Sequence, residues 1–327
     1  MTAAAEAASG VPGSKLRVPD FLIVGHPKSG TTALYEMLRR HPQIFMPELK
    51  ETRFFAHELH PGLDFRTHPE TLDEYLALFA PAREGQLAGE ASPSYLRSHL
   101  AAGRIAELQP QARVIAILRE PASFLRSLHL ELVENHVETE RDFAKAVAAD
   151  RLRPGMEQND ATYGRGGRRY SADRVEYVEQ LRRYHEVFPS EQVLVLIYDD
   201  FRADNERTVK HVLRFLGVDD GTPIETAEAN PSVRVRSVRA YRMLHALTIG
   251  EGAAWGALKR ATTAVTPTRP RRGGLHVLRR RVLFGQPHDP DEQLMLELRR
   301  RFKSEVETLS AYLDRDLVSL WGYDRLA

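Results

Sequence analysis

Residues 21–35 combine an apolar run, a small glycine-containing loop and the start of a helical pattern. Backbone N–H groups in such a loop, together with the positive end of the following helix, form a binding site for a phosphate or sulfate group. Gly25 and Gly30 have the spacing of the nucleotide-triphosphate loop G-x-x-x-x-G-K-[ST], but Thr31 stands at the lysine position. The lysine of this loop, Lys28, lies two residues before Gly30. This displacement predicts a loop for one phosphate group rather than for a triphosphate tail.

The donors that such a loop offers can be named from the sequence. We expect Ser29, Gly30, Thr31 and Thr32 to supply N–H and hydroxyl donors to the anion, and Lys28 to supply a movable positive charge. The alternative is an ordinary turn. The apolar strand pattern before the loop and the helical pattern after it favour phosphate binding.

A second segment, residues 50–55, places charges directly against two phenylalanines. A carboxylate held against aromatic rings loses solvation, which raises its pKa toward the range that suits a general base. Glu51 is therefore the candidate base, and His129 and His136 are the next candidates. The alternative interpretation is an edge strand with solvated charges.

A third segment, residues 118–127, contains Arg119 at the end of an apolar run and Ser127 two turns into the next helical pattern. Pro121 starts that helix close to the strand, so the arginine and the serine can converge on one anion. An arginine at a helix start also forms surface ion pairs, so this segment alone is weak evidence.

The segments around these residues predict the fold. Continuous apolar runs at Phe21–Val24, Arg113–Leu118 and Val193–Tyr198 are typical of strands that are covered on both faces of a parallel sheet. Helical patterns alternate with them, which predicts a single α/β domain with a P-loop-type central parallel sheet and helices on both faces. The helical patterns cover Thr31–Arg40, Thr71–Phe79, His99–Leu108, Pro121–Glu134, Ala172–Phe188, Asn205–Leu216 and, as one helix or two, Pro290–Leu320.

Composition limits the remaining possibilities. The 327 residues carry a formal net charge of +1, so the chain lacks the global field of a nucleic-acid binder, and the absence of cysteine excludes thiolate chemistry and disulfides. We interpret residues 1–17 as a disordered leader and residues 18–327 as one domain. The lack of a long apolar run predicts a soluble protein, and the absence of cysteine fits a cytoplasmic one. Glycine, proline and arginine concentrate near residues 136–170 and 233–288, which we expect to form lids and acceptor-binding elements.

Together these segments resemble the sulfotransferases that use 3′-phosphoadenosine-5′-phosphosulfate (PAPS). The segment 27–32 is similar to the family's 5′-phosphosulfate loop, and Arg119 with Ser127 is similar to its 3′-phosphate site. The motifs at 50–55 and 89–95 resemble the branch that contains heparan-sulfate sulfotransferases and many bacterial small-molecule sulfotransferases. The resemblance extends from about Pro19 through the C-terminal region.

The resemblance implies transfer of a sulfuryl group from PAPS to a hydroxyl or amine of a small-molecule or carbohydrate-like acceptor, leaving adenosine 3′,5′-bisphosphate (PAP). Lys28 would neutralise the leaving 5′-phosphate oxygen, Glu51 would take the acceptor proton, and Arg119 with Ser127 would hold the 3′-phosphate. No metal is expected. The arginine-rich composition suggests a bacterial source.

Two features of the family have no certain counterpart in this sequence. Many relatives in the glycan-acting branch carry an active-site lysine at the position of Ala91, so that charge is missing here or comes from elsewhere. The family commonly contacts the 3′-phosphate through a late arginine- and glycine-containing loop. Arg271, Arg272 and Gly273 are candidates for that loop, and Arg236 is a competing candidate.

Two alternative functions belong to other classes. A P-loop kinase or NTPase is supported by Asp199 and Asp200, which follow an apolar strand as a magnesium-binding aspartate would, but the absent lysine at Thr31 opposes it. A non-catalytic phosphate- or nucleic-acid-binding module could use the basic residues between 252 and 288. The near-zero net charge opposes this alternative, and we expect no nucleic-acid partner.

Overall fold

A computed structural model describes residues 17–60, 67–135, 137–152, 169–223, 234–235, 284–285 and 291–326. The predicted leader (apart from Arg17), about half of the segment 136–170 and almost all of the segment 233–288 lie outside these described residues. Within the described ranges, no helix combines the length and the apolarity that crossing a bilayer requires.

The centre of the molecule is a parallel sheet of five strands in the order β2-β3-β1-β4-β5. The register pairs Phe21 with Arg113 and Gly25 with Ile117, so that β1 and β4 end together. Apolar clusters cover both faces of the sheet, and the predicted fold class is confirmed. The strands are β1 Phe21–Gly25, β2 Ile44–Phe45, β3 Leu87–Ala91, β4 Arg113–Leu118 and β5 Val193–Ile197.

Helices connect the strands and cover the sheet. They are α1 Thr31–Arg39, α2 Leu72–Ala77, α3 Ala101–Leu108, α4 Pro121–Glu134, α5 Phe143–Arg151, α6 Tyr177–His185, α7 Tyr198–Ala203, α8 Asn205–Leu216, α9 Glu292–Tyr312 and α10 Leu317–Leu320. Short 3-10 helices cover Phe54–Leu59, Pro93–Leu96, Ala172–Arg174 and Ser190–Gln192. A separate antiparallel pair joins β6 Arg234–Val235 to β7 Phe284–Gly285.

One helix prediction needs correction. The predicted helix 172–188 is a 3-10 turn followed by α6, because the chain leaves helical geometry at Val175 and Glu176 before α6 begins. Part of the segment assigned to a lid, residues 143–151, forms α5, whose N-terminus is capped by the Asp142 carboxylate accepting from the Lys145 N–H. Residues 290–320 contain two helices, α9 and α10, within the range that the sequence predicted.

The start of α4 is fixed at the carboxyl end of β4. The Glu120 side chain accepts hydrogen bonds from the N–H groups of Ala122 and Ser123, and Pro121 occupies the first helical position, where its missing N–H costs little. The Tyr323 hydroxyl also donates to Glu120 Oε1, at 2.6 Å. α4 therefore begins immediately after Arg119, at the edge where ligands bind in open α/β sheets.

The C-terminal residues also contact the carboxyl end of β5. The Trp321 indole Nε1–H donates to Asp199 Oδ2 at 2.9 Å, and Arg315 forms an ion pair with Asp200 at 2.5 Å. Both carboxylates that follow β5 therefore have partners on the C-terminal helical segment.

Candidate active site

The loop between β1 and α1 has a backbone that few sequences can adopt. Gly25 has φ +144°, and a Cβ atom there would lie 2.5 Å from the Ile117 carbonyl oxygen of β4. Gly30 has φ +89° and lies against the Phe201 ring, which a Cβ would approach to 3.0 Å. Lys28 itself has φ 62°, in the left-handed region that non-glycine residues seldom occupy. Such backbone strain is typical of ligand-binding sites, where the surrounding structure must hold it in place.

Arg119 holds this loop from the neighbouring strand end. Its Nη1 donates to the Lys28 carbonyl oxygen at 2.8 Å, and its guanidinium lies 4.6 Å from the centre of the Tyr198 ring. The Tyr177 hydroxyl donates to the Arg119 carbonyl oxygen at 2.8 Å. The structure therefore brings together Arg119 and Lys28, which lie 91 residues apart in the sequence.

The donors of the loop fit a small anion. Within the described residues, the N-terminus of α1 has no side-chain cap, so its first N–H groups need an acceptor from elsewhere. The Ser29 side chain is fully buried, and its Oγ has no hydrogen-bond partner in the described part of the chain. Thr31 is buried and Thr32 is partly exposed in the first turn of α1. A phosphate oxygen would satisfy these donors.

His26 packs against α4 and α6. Its ring lies 4.8 Å from the Phe124 ring of α4 and 4.6 Å from the Tyr177 ring, and its Nε2 is 3.0 Å from Gln180 Oε1. Burial lowers the pKa of His26 to about 3, so the imidazole is neutral. His26 therefore joins the loop to α4 and is not a charge in the site.

Ser127 lies on α4 and is 4% exposed. Because α4 starts close to Arg119 and packs against the loop through Phe124, Ser127 lies on the element that connects the two candidate anion-binding segments. The structure places Ser127 in the second turn of α4, as the sequence predicted. Its role toward a phosphate stays a prediction.

Glu51 lies in a turn with two left-handed residues, Glu51 at φ 60° and Arg53 at φ 59°. The Glu51 N–H donates to the Ala91 carbonyl at the end of β3, at 3.0 Å. Its carboxylate accepts from Lys50 Nζ at 2.8 Å and from Arg53 Nη2 at 3.2 Å. The carboxylate is thus held at the carboxyl edge of the sheet, between two cations.

The expected direction of the Glu51 pKa shift was wrong. Burial raises the pKa of Glu51, but the charges and hydrogen bonds of Lys50 and Arg53 outweigh burial and leave this pKa below its usual range. The phenylalanines pack elsewhere: Phe54 stacks on the Tyr75 ring at 4.5 Å, and the other phenylalanine of this segment is buried in the core. The local sequence does not show which neighbours of Glu51 have the largest effect on its pKa.

A buried carboxyl group supports this turn. Glu90 is fully buried on β3 and accepts from the hydroxyls of Thr52 at 2.8 Å, Ser92 at 2.5 Å and Tyr75 at 2.7 Å. The Ser92 Oγ in turn accepts from the Arg53 N–H at 3.2 Å. Because Thr52 and Arg53 flank Glu51, the Glu90 network fixes the backbone on both sides of the candidate base. The motif 89–95 indicated that these residues matter but did not predict this arrangement.

Sequence reasoning missed a second carboxyl group that lies near the loop, Glu131 on α4. Its pKa is affected by the charges of four residues: Lys28, Lys50, Glu51 and Glu134. Burial is the main cause that raises the pKa of Glu131 to about 7. Its Oε2 is buried and has no hydrogen-bond partner among the described residues. The sequence feature that could have indicated Glu131 is its position four residues after Ser127, one turn further along the same face of a helix.

The alternative candidates for the base are His129 and His136. His129 Nδ1 lies 2.8 Å from the Tyr170 hydroxyl, and its Nε2 lies 3.2 Å from the Arg141 carbonyl oxygen, so both ring nitrogens are engaged. Burial lowers the pKa of His129. His136, the other alternative, lies outside the described residues.

The candidates for a late 3′-phosphate loop also lie outside the described residues: Arg236, Arg271, Arg272 and Gly273. In the part of the chain that the structure describes, no group of histidine, aspartate and glutamate side chains has the arrangement of a metal site. Asp199, the best support for an NTPase, lies in the first turn of α7 and accepts from Trp321. α7 follows the outer strand β5, which β4 separates from β1.

The fold and this loop place the chain among known proteins. The sulfotransferase domain family matches residues 18–234. The crystal structure of a sulfotransferase from Alicyclobacillus acidocaldarius has 25% identity and a TM-score of 0.64, and the match covers 93% of this chain and 98% of that one. The chain therefore belongs to the sulfotransferase family.

Two relatives come from the heparan-sulfate branch. The human bifunctional heparan sulfate N-deacetylase/N-sulfotransferase 3 is 28% identical over 216 residues, which are 62% of this chain and 22% of the relative. The mouse heparan sulfate glucosamine 3-O-sulfotransferase 3A1 is 33% identical over 111 residues, 34% of this chain and 25% of the relative. The chain thus spans about a quarter of the length of these relatives or less.

Proposed function

We propose that the protein transfers a sulfuryl group from PAPS to a hydroxyl or amine of an acceptor and releases PAP. The observation that carries this proposal is the hydrogen bond from Arg119 to the Lys28 carbonyl oxygen. It joins a loop built for one anion to a second cation at the adjacent strand end. A donor with separate 5′ and 3′ phosphate groups fits two such positions better than a triphosphate does.

Lys28 is the proposed leaving-group residue. As the sulfur–oxygen bond to the 5′-phosphate breaks, its electron pair stays on the phosphate oxygen, and Lys28 with the loop N–H groups stabilises the charge that builds there. The uncapped N-terminus of α1 and the buried Ser29 hydroxyl support binding of that phosphate. Gly30, Thr31 and Thr32 complete the set of donors.

Glu51 is the proposed base, which takes the acceptor's proton as the new bond to sulfur forms. Its position at the carboxyl end of β3 and its rigid support through Glu90 favour this role. The cations Lys50 and Arg53 keep it ionised at neutral pH, so it is ready to accept a proton. They also supply positive charge next to Ala91, the position at which the glycan-acting branch often carries a lysine.

Arg119 and Ser127 are the proposed ligands of the 3′-phosphate. Arg119 has several N–H donors, of which Nη1 binds the loop, so its other guanidinium nitrogens can face an anion. This division of one side chain between backbone and ligand explains why the arginine stands directly at the strand end.

We further propose a small-molecule or carbohydrate-like acceptor, a cytoplasmic location, and turnover without a metal or a nucleic-acid partner. The names of the relatives point to glycan acceptors for those proteins. For this chain, the acceptor side of the site has two carboxylates and two cations, which suits a neutral or mixed-charge polar molecule.

Calorimetry with PAP, adenosine 5′-phosphate and ATP tests the donor. We expect the tightest binding for PAP without magnesium, and turnover when labelled PAPS is combined with a panel of phenols, alcohols, amines and glucosamine oligosaccharides. Magnesium-dependent ATP turnover without PAP binding would contradict the proposal. Salt-sensitive nucleic-acid binding that survives Lys28→Ala would instead favour a binding module.

A further inference from the structure

Glu131 lies on α4 and has no role in the mechanism proposed above. It follows Ser127 by four residues, one helical turn and about 6 Å along the axis. α4 packs against the phosphate loop through Phe124 and His26, so this face of the helix runs along the proposed donor site toward the acceptor side.

Glu131 is partly exposed as a residue, but its carboxylate Oε2 is buried without the partners that buried carboxylate oxygens normally have. Its Oε2 accepts no hydrogen bond from any described residue. By contrast, the buried Glu90 carboxyl on β3 accepts three from hydroxyl groups. An unsatisfied buried acceptor costs free energy, so a native structure that keeps one usually needs it for binding or chemistry.

The charged groups around Glu131 come from three segments. Lys28 comes from the loop, Lys50 and Glu51 come from the turn after β2, and Glu134 lies one turn further on α4. Glu131 therefore shares its surroundings with the two residues to which we assign chemistry.

Glu51 and Glu131 have opposite environments. Lys50 and Arg53 bind the Glu51 carboxylate directly, and they lower its pKa, so a protonated Glu51 is a stronger acid than an ordinary carboxyl group. Burial raises the pKa of Glu131 to about 7. When the pKa values of two carboxyl groups in one site differ in this way, the proton moves toward the group with the higher pKa.

We propose that Glu131 is a second proton-accepting residue, which receives the acceptor's proton from Glu51 and releases it to solvent after the transfer. The inference rests on the proposed function. The acceptor's lone pair forms the bond to sulfur, and the sulfur–oxygen bond to the 5′-phosphate breaks with its electron pair on that oxygen. The proton passes from the acceptor to Glu51 and then to Glu131, directly or through water, and Glu51 returns to its ion pairs.

The first test needs no acceptor. Carbon-13 NMR of protein labelled at glutamate side chains, with the Glu131 signal assigned by its loss in Glu131→Gln, should show a Glu131 pKa near 7. Lys28→Ala should raise this pKa further, and Glu51→Gln should lower it, because each removes a charge that acts on Glu131. A Glu131 that titrates in the ordinary carboxyl range, or that ignores both substitutions, would overturn the inference.

The second test follows turnover against pH with the best acceptor of the panel. We expect Glu131→Gln to lower kcat by about tenfold to a hundredfold and to move the acidic limb of the kcat profile away from pH 7. Glu131→Asp should restore part of the rate together with a limb near neutral pH. A lower kcat with an unchanged pH profile would mean a structural role and would contradict the inference.

Matched measurements separate this inference from the proposed function. Glu107→Gln removes an exposed carboxylate on α3 and should leave the NMR titration and turnover unchanged. PAP binding to Glu131→Gln should stay within about threefold of the wild type, since the residue serves proton transfer. If no acceptor is ever sulfated, the proposed function fails, whereas the titration of Glu131 still decides whether its unusual environment exists.

Discussion

Replacing Arg119 with alanine should weaken PAP binding more than adenosine 5′-phosphate binding. Two contributions are lost in this variant. The first is the hydrogen bond from Nη1 to the Lys28 carbonyl oxygen, at 2.8 Å. It holds the loop for any ligand with a 5′-phosphate. The second is the proposed contact with the 3′-phosphate, which only PAP can make.

The magnitudes follow from the chemistry of each contact. A hydrogen bond from a charged donor contributes about 1.5–3 kcal/mol, which corresponds to about a 10- to 150-fold loss of affinity. Both ligands should show that loss. Removing one partner of a buried charge pair costs about 2–5 kcal/mol, so PAP should lose at least a further factor of about 30.

Isothermal calorimetry of wild type and Arg119→Ala with both nucleotides gives the four affinities that this comparison needs. Arg214→Ala is the control, since its side chain is 62% exposed on α8. An equal loss for both nucleotides would refute the assignment of Arg119 to the 3′-phosphate and leave it as a loop anchor only. No loss with either nucleotide would refute both roles.

Three further substitutions test other parts of the structure. Lys28→Ala should cut turnover by about a hundredfold or more while PAP affinity, measured by calorimetry, changes less than tenfold; full activity would end its proposed role. Gly25→Ala should lower the urea midpoint, at a cost of about 1–3 kcal/mol, because the new Cβ would meet the Ile117 carbonyl at 2.5 Å; a wild-type midpoint would contradict that close approach. Glu138→Gln breaks the buried ion pair with Arg169 at 2.6 Å and should cost about 3–5 kcal/mol at neutral pH. Burial raises the pKa of Glu138, but backbone hydrogen bonds and Arg169 lower it overall, so this stabilisation is present above the ordinary carboxyl pKa and disappears as the pH falls through the folded pKa. Urea titrations at neutral and acidic pH should therefore show a gap between the proteins that closes in acid, and a constant gap would exclude the ion pair as its source.

The sequence predicts the sheet where burial alone decides the structure. β1, β4 and β5 are continuous apolar runs, and such runs have few alternatives to a covered strand. β3 escapes prediction because its sequence, Leu-Ala-Gly-Glu-Ala, has few strand-forming residues and contains a glutamate. Gly89 is required there since a Cβ would lie 2.1 Å from the Phe21 ring, and Glu90 is tolerated only because hydroxyls from distant segments satisfy it.

The candidate site is also predictable from the sequence only in part. Lys28 and Arg119 could be predicted to converge, because both follow strands whose carboxyl ends share one edge of a parallel sheet. The pairing of Glu51 with Lys50 and Arg53 depends on a turn with two left-handed residues, and the burial of the Glu131 Oε2 atom depends on how α4 packs. Such tertiary contacts set the pKa of each carboxyl group, and the residue types alone do not reveal them.

The indole of Trp321 limits how this scaffold could be redesigned. The loop sequence differs from the triphosphate loop at Thr31, and Thr31→Lys would restore the usual lysine of an ATP-hydrolysing enzyme. A magnesium ion would then need a carboxylate, but Asp199 accepts from Trp321 and Asp200 is paired with Arg315. Any such redesign would first have to detach the C-terminal segment from the start of α7, so the lysine substitution alone should yield a protein that still cannot bind magnesium-ATP productively.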